Sequence, residues 1–522
     1  MMNHCMSTHI LTFLVFAPLF WGLLLLALPN RLALLTKYLA FIGSLGIFVI
    51  AALRLIPMLD SGSILFSERA PLFTLLNIPI DYHLSLDGLN IWLILLTTFL
   101  VPISIAGTWN SIKERPGSFF ALFTILESCI LGAFLANDLF LFYIFWEAML
   151  IPMYFMIGVW GGAERKYAAN KFIIFTLAGS LLWLVALLYL ATQAGSFSPE
   201  IMAQTAMNLP FSKQCWLYLA FALAFAIKIP LFPLHTWLPD AHTEAPTAGS
   251  AILAGVLLKL GGYGFLRFAI PILPAAALHY AKPLAILAVV AIIYGALVAM
   301  VQQDIKKLVA YSSVSHMGFV MLGIASFTLI GTQGAMLQML NHGISTGALF
   351  LLVGMVYDRA HTRMIVDFGG IASKMPIFTF FFIIVTLSSI GLPLTNGFIG
   401  EFLILNGTFV SGFTWGRVAA IVSVSGVLLG AIYMLWMVKR VFWGPENQEP
   451  KSGTAHLTSD LNIREIAVMT PLVILIFWMG LHHVTFTGAS EEKINRMLDD
   501  IQAPPARTLL LNAPDQAQHG AQ

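Results

Sequence analysis

Charged side chains are scarce in this chain. Asp, Glu, Lys and Arg together make up only 10% of its 522 residues, whereas hydrophobic residues make up 59%. Soluble domains usually carry about 25% charged residues. The composition therefore excludes a soluble globular protein and predicts an integral membrane protein.

Cysteine is also scarce, and its spacing excludes several kinds of cofactor site. Cys5, Cys129 and Cys215 lie far apart and form no CxxC pair, so neither a disulfide framework nor an iron–sulfur or zinc site is indicated. The sequence has no GxxxxGK[ST] loop, and the glycines around Tyr263 lack the preceding strand and the third glycine of a dinucleotide site. We therefore expect this chain to bind no metal and no cofactor.

Long apolar runs are abundant and recur from end to end. Runs of about twenty residues match the length that an α-helix needs to cross a bilayer. The first run lacks a basic region and a cleavage site before it, so we expect a retained helix rather than a signal peptide. The pattern predicts about fourteen spans, at residues 10–29, 32–53, 89–109, 118–136, 139–160, 168–192, 215–238, 245–268, 278–301, 307–327, 333–356, 376–408, 415–440 and 464–482.

Basic residues predict the orientation of these spans. Of the 27 lysines and arginines, sixteen fall in loops on one side, and nine fall on the other side, the C-terminal tail included. The positive-inside rule places the richer side in the cytoplasm and both termini in the periplasm. Lys306 is assigned to a cytoplasmic loop, and Arg267 is expected to extend its guanidinium to the outer interface.

Two lysines fit neither side. Lys228 lies in FALAFAIKIPLF and Lys259 in AILAGVLLKLGGYG, and a charge at mid-membrane costs roughly 2.5–3.5 kcal/mol on insertion scales. Lys259 lies eight residues before Arg267, about 12 Å along a helix, which is too deep for its ammonium to reach the interface. Ionisable groups at such depth usually serve a function, and we expect one for both lysines.

Three glutamates within the spans are candidate partners for these lysines. Glu127 and Glu147 flank the turn at Asn137 and Asp138 by similar numbers of residues, so in two antiparallel helices they would lie at nearly equal depth, about 15 Å from the turn. Glu401 lies in a later span. Each carboxylate needs water or protein around it, because hydrocarbon disfavours the charged form. The alternative is a buried ion pair that only fixes packing, although such pairs seldom stabilise a fold.

Three histidines accompany these charges: His235, His316 and His342. Imidazole titrates near neutral pH and can accept a proton at one nitrogen while donating from the other. Any one of them could be a core histidine with satisfied hydrogen bonds. Together with the neighbouring polar side chains they predict a hydrated path for protons; those neighbours are Ser312, Ser313, Ser315, Asn341, Ser345 and Thr346.

Proline and glycine interrupt two of the spans. Lys228 is followed by three prolines within eleven residues, and Glu401 is preceded by the interrupted stretch SSIGLPLTNGFIG. Two broken spans, each with a buried charge, are typical of inverted-repeat transporters. The predicted divisions are helices 1–3 (residues 1–115), a first repeat of helices 4–8 (116–270), a second repeat of helices 9–13 (271–445), helix 14 (446–485) and a polar tail (486–522).

Several motifs resemble one known family. FWEAMLIPMYFMIGVWGG, IKIPLFPLHTWLPDAHTEAPTAGSAILAGVLLKLGGYGFLRF, DIKKLVAYSSVSHMGF and LNHGISTGALF are similar to the subunit M family of bacterial proton-pumping NADH:quinone oxidoreductase (respiratory complex I), whose mitochondrial homologue is NADH dehydrogenase subunit 4. The resemblance covers about residues 80–445. It implies an all-α antiporter-like fold of about fourteen transmembrane helices with two inverted five-helix repeats.

The resemblance also implies roles for individual residues. Glu147 and Lys228 would form the ion pair of one half-channel, Lys259 would be the central relay, and Glu401 would be the terminal exchange residue. A glutamate rather than a lysine at the second broken span is the pattern of subunit M. The remaining matches are the central histidines and two loop acids; these are His235, His316, His342, Asp138 and Asp304.

The partners follow from the same resemblance. Flavin, iron–sulfur clusters and quinone would be held by partner subunits, and homologous antiporter-like subunits would flank this chain in the bacterial inner membrane. No nucleic-acid partner is expected. Two alternatives remain open: a subunit of a multisubunit cation/proton antiporter, and a subunit of a membrane-bound hydrogenase with the same bundle.

Overall fold

Apolar side chains and the need to satisfy every backbone group inside a bilayer direct most of this chain into helices. The computed structural model describes residues 9–61, 66–445, 457 and 459–502. The first part contains helices α1 (Ile10–Ala27), α2 (Ala33–Leu55) and α3 (Ile91–Gly107), with a hairpin of β1 (Phe66–Leu75) and β2 (Ile78–Leu86) before α3.

The next part runs from residue 116 to residue 272. Its helices are α4 (Pro116–Leu135), α5 (Leu139–Ala148), α6 (Leu150–Trp160), α7 (Arg165–Ala194), α8 (Pro199–Met207), α9 (Phe211–Lys228), α10 (Trp237–Glu244), α11 (Thr247–Ile252), α12 (Lys259–Gly264) and α13 (Ile270–Ile272). Two π-helical turns, Leu253–Leu257 and Phe265–Ala269, join α11, α12 and α13 into one rod. This rod is the eighth predicted span.

The remaining helices complete the bundle. They are α14 (Pro274–His279), α15 (Ala281–Met300), α16 (Ile305–Ala325), α17 (Leu329–Ala360), α18 (Ile371–Lys374), α19 (Pro376–Ser389), α20 (Asn396–Phe409), α21 (Gly416–Phe442), α22 (Ile463–Leu481) and α23 (Val484–Gln502). Single 3-10 turns lie at Asn30–Leu32, Ile56–Ser61 and Ile365–Asp367.

Eleven helices among the described residues are long and apolar enough to cross a membrane. The third predicted span is the shorter apolar helix α3, and the seventh and twelfth are divided between α9 and α10 and between α19 and α20. The breaks therefore occur where the prolines and glycines predict them. The arrangement is consistent with fourteen spans; the domain boundaries and the two repeats stay predictions.

Two elements add detail to the predicted organisation. The hairpin of β1 and β2 pairs antiparallel from Phe66–Leu86 to Leu75–Ile78 and is a small addition to a mostly helical fold. The polar tail predicted from residue 486 overlaps the amphipathic helix α23, whose Ser490 and Ile494 are buried. A Cβ on Gly88 would meet the backbone of Ala489, so α23 packs directly on the turn between β2 and α3.

Burial distinguishes the central helices from the peripheral ones. The α11–α13 rod and α17 are buried along their length, and α16 is nearly so, whereas α1, α2, α15, α21 and α22 expose most of their residues. The exposed side chains on these helices are largely apolar, as expected for a surface that faces lipid. The most buried helices carry Lys259, His342 and His316.

Candidate functional site

Lys259 lies at the start of α12, immediately after a π-helical turn. Its ammonium donates a hydrogen bond to the carbonyl oxygen of Ala254 and lies 2.6 Å from Nδ1 of His342 on α17. The side chain is fully buried. A lysine with an imidazole and a carbonyl as its neighbours, and no carboxylate bonded to it, can give up its proton to the imidazole.

His316 on α16 pairs with the carboxylate of Glu401 on α20. Nδ1 of His316 lies 2.9 Å from Oε1 of Glu401, and both side chains are largely buried. The amide of Gln338 donates to the same carboxylate oxygen at 3.2 Å. Glu401 thus lies in the helix that follows the second break, with a titratable neighbour and a neutral donor that both face it.

The two histidines are near each other without direct bonding. Their ring centroids lie 5.9 Å apart, and Nε2 of His342 has no hydrogen-bond partner among the described residues. A polar cavity of about 10 Å³ lies between them, which is about the space that one water molecule needs. Lys259, His342, His316 and Glu401 therefore form one continuous set, the polar series, with room for a water in its middle.

Neighbouring amides and hydroxyls hold the second broken span against α17. Oδ1 of Asn396 accepts from Ser388 at 2.5 Å and from Ser345 at 3.3 Å. The amide of Asn341 donates to the carbonyl oxygen of Asn396 at 2.7 Å and to Gln338 at 3.1 Å. Oδ1 of Asn396 also accepts from the amide of Gly397 at 3.0 Å, one of the amides that the start of α20 leaves without a helical partner.

Lys228 and Glu147 interact through their charges but are not hydrogen-bonded. Lys228 ends α9 at the first break, and its buried ammonium has no hydrogen-bond partner among the described residues. It lies 5.0 Å from the ring centroid of Trp146 and 6.0 Å from that of Phe172. Glu147 is the electrostatic neighbour of Lys228, and its Oε1 has no hydrogen-bond partner among the described residues. The carboxylate and the ammonium are thus close enough to interact and too far apart for a formed ion pair.

Two predicted residues lie outside these contacts. Glu127 on α4 is fully buried, and neither of its carboxylate oxygens has a hydrogen-bond partner in the part of the chain that the structure describes. His235 lies within the first break, between α9 and α10, and packs between aromatic rings, 5.1 Å from Tyr294 and 5.7 Å from Phe232 between centroids. Direct contacts connect neither residue to the polar series.

Asp138 and Asp304 are helix N-caps. Oδ1 of Asp138 accepts from the amides of Phe140 and Leu141 at the start of α5, and Oδ1 of Asp304 accepts from the amides of Lys306 and Lys307 at the start of α16. Burial raises the pKa of Asp138 to about 6, although the cap bonds oppose this. The two acids occupy corresponding positions, at the start of the second helix of each predicted repeat.

Comparison with known proteins places this architecture and these residues in a family. The sequence model described as "NADH:quinone oxidoreductase/Mrp antiporter, TM" matches residues 136–429, more than half of the chain. NADH-quinone oxidoreductase subunit M of Rickettsia prowazekii (strain Madrid E) is 45% identical over 478 residues, which cover 90% of this chain and 95% of that protein. This chain belongs to the subunit M family.

Two further comparisons agree. NADH-ubiquinone oxidoreductase chain 4 of Marchantia polymorpha is 40% identical over 487 residues, covering 93% of this chain and 96% of that protein. The structure of respiratory complex I from Thermus thermophilus with bound NADH contains a chain that is 31% identical and superimposes with a TM-score of 0.84, over 96% of this chain and 99% of that chain. The resemblance and the antiporter-like fold class inferred from the motifs are confirmed.

Sequence reasoning missed one central histidine of this subunit M family member. His242 on α10 is fully buried, its ring is stacked 4.6 Å from that of Phe350, and neither ring nitrogen has a hydrogen-bond partner among the described residues. It is an electrostatic neighbour of Lys259 and Lys306. The motif WLPDAH contains it, and the signal that would have identified it is its position seven residues beyond His235, about two helical turns.

The charge count predicts that Lys306 lies in a loop, but the structure places it in a helix. It lies in the first turn of α16 with 5% of its surface exposed, and its ammonium donates to the carbonyl oxygen of Ala245 at 2.5 Å and to that of Thr243 at 3.4 Å. Arg363 donates to Thr243 at 2.7 Å. Free carbonyls at the end of α10 attract these cations, because a helix C-terminus has unpaired acceptors and a partial negative charge.

Arg267 does not extend to the interface either. It is buried in an ion pair with Asp87, and its guanidinium also donates to Ser85 at 2.7 Å and to Asn137 at 2.9 Å. Burial opposes ionisation of Asp87, but Arg267 lowers the pKa of this carboxyl below its ordinary value. A complete set of partners makes burial of this arginine tolerable, and hydropathy alone could not have predicted them.

Proposed function

We propose that this chain is the proton-translocating, antiporter-like membrane subunit of an NADH:quinone oxidoreductase. Membership of the subunit M family supports this, together with one observation: the buried polar series connects a lysine to a glutamate through two histidines, and the lysine and both histidines lie on the most buried helices. Such ionisable groups in apolar surroundings indicate a path for protons. The chain itself would do no redox chemistry, consistent with the lack of cofactor motifs in its sequence.

Proton passage along the polar series needs little rearrangement. Lys259 can protonate His342 across 2.6 Å, a water in the polar cavity can connect His342 to His316, and His316 can protonate Glu401 across 2.9 Å. At each step a group that can donate a proton faces a group that can accept one. Moving one charge against a membrane potential requires roughly 2.3 kcal/mol per 100 mV, which the partner subunits would supply.

The first broken span would deliver protons to the polar series. When Glu147 approaches Lys228, the ammonium is stabilised; when the two separate, a buried ammonium is left unpaired and its proton is expected to pass to Lys259. The present geometry, with charge coupling but no hydrogen bond between them, corresponds to a separated pair. Increasing such a separation from about 4 to about 8 Å at an effective dielectric of about 20 changes the interaction energy by roughly 2 kcal/mol.

Removing this pair of charges should reduce proton pumping by the complex. We expect Lys228→Ala and Glu147→Ala, singly and together, to reduce proton pumping roughly 10-fold or more, measured by dye quenching in proteoliposomes that contain the assembled complex. Lys213→Ala is the matched control, because Lys213 precedes Lys228 on the same helix and its ammonium donates to the hydroxyl of Tyr189 in an exposed contact. Wild-type pumping by the assembled double variant would contradict the mechanism.

The partner assignment has its own test. Purification of the intact complex should recover flavin, iron–sulfur clusters, quinone reductase activity and two further antiporter-like subunits. Nickel instead of flavin would indicate a hydrogenase, and the absence of all redox centres would indicate a cation/proton antiporter. The relatives named as NADH-quinone and NADH-ubiquinone oxidoreductase subunits favour the first result.

A further inference from the structure

The first π-helical turn and a glycine pair lie beside the contact between Lys259 and His342. In the turn at Leu253–Leu257 the backbone hydrogen bonds join residues five positions apart instead of four. An example is the 3.3 Å bond from the amide of Leu258 to the carbonyl oxygen of Leu253. Turns of this kind often occur at functional sites. Ala254 in this turn supplies the carbonyl that accepts from the Lys259 ammonium.

The turn approaches the backbone of α17 closely at Gly343. A Cβ on Gly343 would lie 2.7 Å from the carbonyl oxygen of Gly255, closer than real Cβ atoms approach backbone. Gly255 follows Ala254, and Gly343 follows His342. Both hydrogen-bond partners of Lys259 are therefore one residue away from this contact, on either side of it.

We propose that the contact between Gly255 and Gly343 is a positioning device that fixes the distance between Lys259 and His342 and so controls proton transfer between them. Small residues allow two helices to approach until their backbones are in contact, and any side chain at position 343 would prevent this approach. A shift of about 1 Å in such a contact can slow a transfer roughly 100-fold. The inference rests on the proposed function of the polar series.

The chain offers a matched control on the same helix. A Cβ on Gly347, one turn further along α17, would lie 3.9 Å from its nearest neighbours, Ala251 and Leu100. That distance is an ordinary contact, so Gly347→Ala should be tolerated. Gly343→Ala should force α17 and the π-helical turn apart and lengthen the bond between Lys259 and His342.

The test is turnover of the assembled complex in proteoliposomes, in H2O and in D2O. For Gly343→Ala we expect coupled NADH oxidation to fall roughly 10-fold and the solvent isotope effect to rise, because proton transfer becomes the slow step. Gly347→Ala should match the wild type in both. A smaller amount of active complex would lower the rate without changing the isotope effect, so the isotope effect separates positioning from stability.

When the variants assemble, three results would overturn the inference: an unchanged rate in Gly343→Ala, an unchanged isotope effect at a lowered rate, or equal losses in Gly347→Ala. If Gly343→Ala does not assemble, combining it with Leu96→Ala removes the side chain that also lies 2.7 Å from the added Cβ and leaves the backbone contact as the only obstacle. If the double variant does not assemble while Leu96→Ala does, the contact is needed for folding, and this result also overturns the inference. Lys259→Ala reports on the proposed function separately: unimpaired pumping there would refute the function itself.

Discussion

Lys228 and Lys259 are both buried lysines, yet their surroundings differ. Lys259 has two hydrogen-bond partners, whereas Lys228 has aromatic rings and a distant carboxylate. An unpaired buried ammonium is costly, so Lys228 is the residue whose state depends most on what its neighbours do. The same logic separates Asp304 and Asp138 from the polar series, since both carboxylates are already used as helix caps.

Asp138 gives a pH-dependent prediction at the scale of one residue. Its pKa is raised from 3.8 to about 6 in the folded chain, so the folded state holds the proton more tightly than the unfolded state does. Stability from this group is therefore present below about pH 4 and is lost as the pH rises to 6, by about 3 kcal/mol.

The measurement is thermal resistance of this chain to proteolysis between pH 4 and pH 7, followed by immunoblot. Asp138→Asn keeps an N-cap side chain but removes the titration, so the part of the pH dependence that comes from this residue should disappear. An identical pH profile in the wild type and the variant would show that Asp138 does not titrate in this range.

At the scale of helices and strands, polar side chains fix the ends of apolar elements. Glu68 of β1 is the clearest case: its carboxylate accepts from the amides of Leu11 and Thr12 at 2.8 and 3.0 Å, and from the hydroxyl of Thr12. These amides are free at the start of α1, where a negative charge is also favoured. The hairpin thereby anchors the first helix.

Glu68→Ala should weaken that anchor. Loss of a buried charged acceptor leaves the amides unsatisfied, which costs about 1–3 kcal/mol, and we expect the first helix to become accessible to protease at a lower temperature. Arg69→Ala is the neighbouring control, because its ion pair with Asp81 is exposed and is worth at most about 1 kcal/mol. Equal effects of the two substitutions would refute the anchoring role.

The predictions from sequence succeeded where a residue type has one dominant effect on the structure. Proline and glycine after Lys228 and before Glu401 marked the two breaks, and apolar length marked the spans. Lys306 and Arg267 were misplaced because a charge count cannot see the carbonyls or the Asp87 carboxylate that allow burial. The hairpin at residues 66–86 was missed because β1 alternates weakly and contains a proline, although β2 (IPIDYHLSL) alternates apolar and polar residues and could have indicated a strand.

At the scale of the whole molecule, contacts divide the loops into two groups. The hairpin, the ion pair of Asp87 and Arg267 and the helix α23 lie at one end of the bundle, where Gly88 touches Ala489. Lys306 and Arg363 meet the end of α10 at the other. This division agrees with the two sets of loops that the distribution of basic residues defines.

The orientation of the bundle can be tested with fusions. Alkaline phosphatase requires disulfides, which form in the periplasm and not in the cytoplasm. The positive-inside rule predicts an active enzyme when it is fused after Gln522 and an inactive one when it is inserted after Ser452, between α21 and α22. The reverse pattern would invert the orientation, and equal activities would contradict an odd number of spans between the two positions.

The uneven bonding of the two lysines also has a consequence for timing. From Lys259 to Glu401 the donors and acceptors already stand at transfer distance or about one water apart. In the proposed mechanism Lys228 would first have to change its distance from Glu147, which requires motion at a broken helix, typically microseconds to milliseconds. The rate of each cycle would then be set at the first break and not along the polar series.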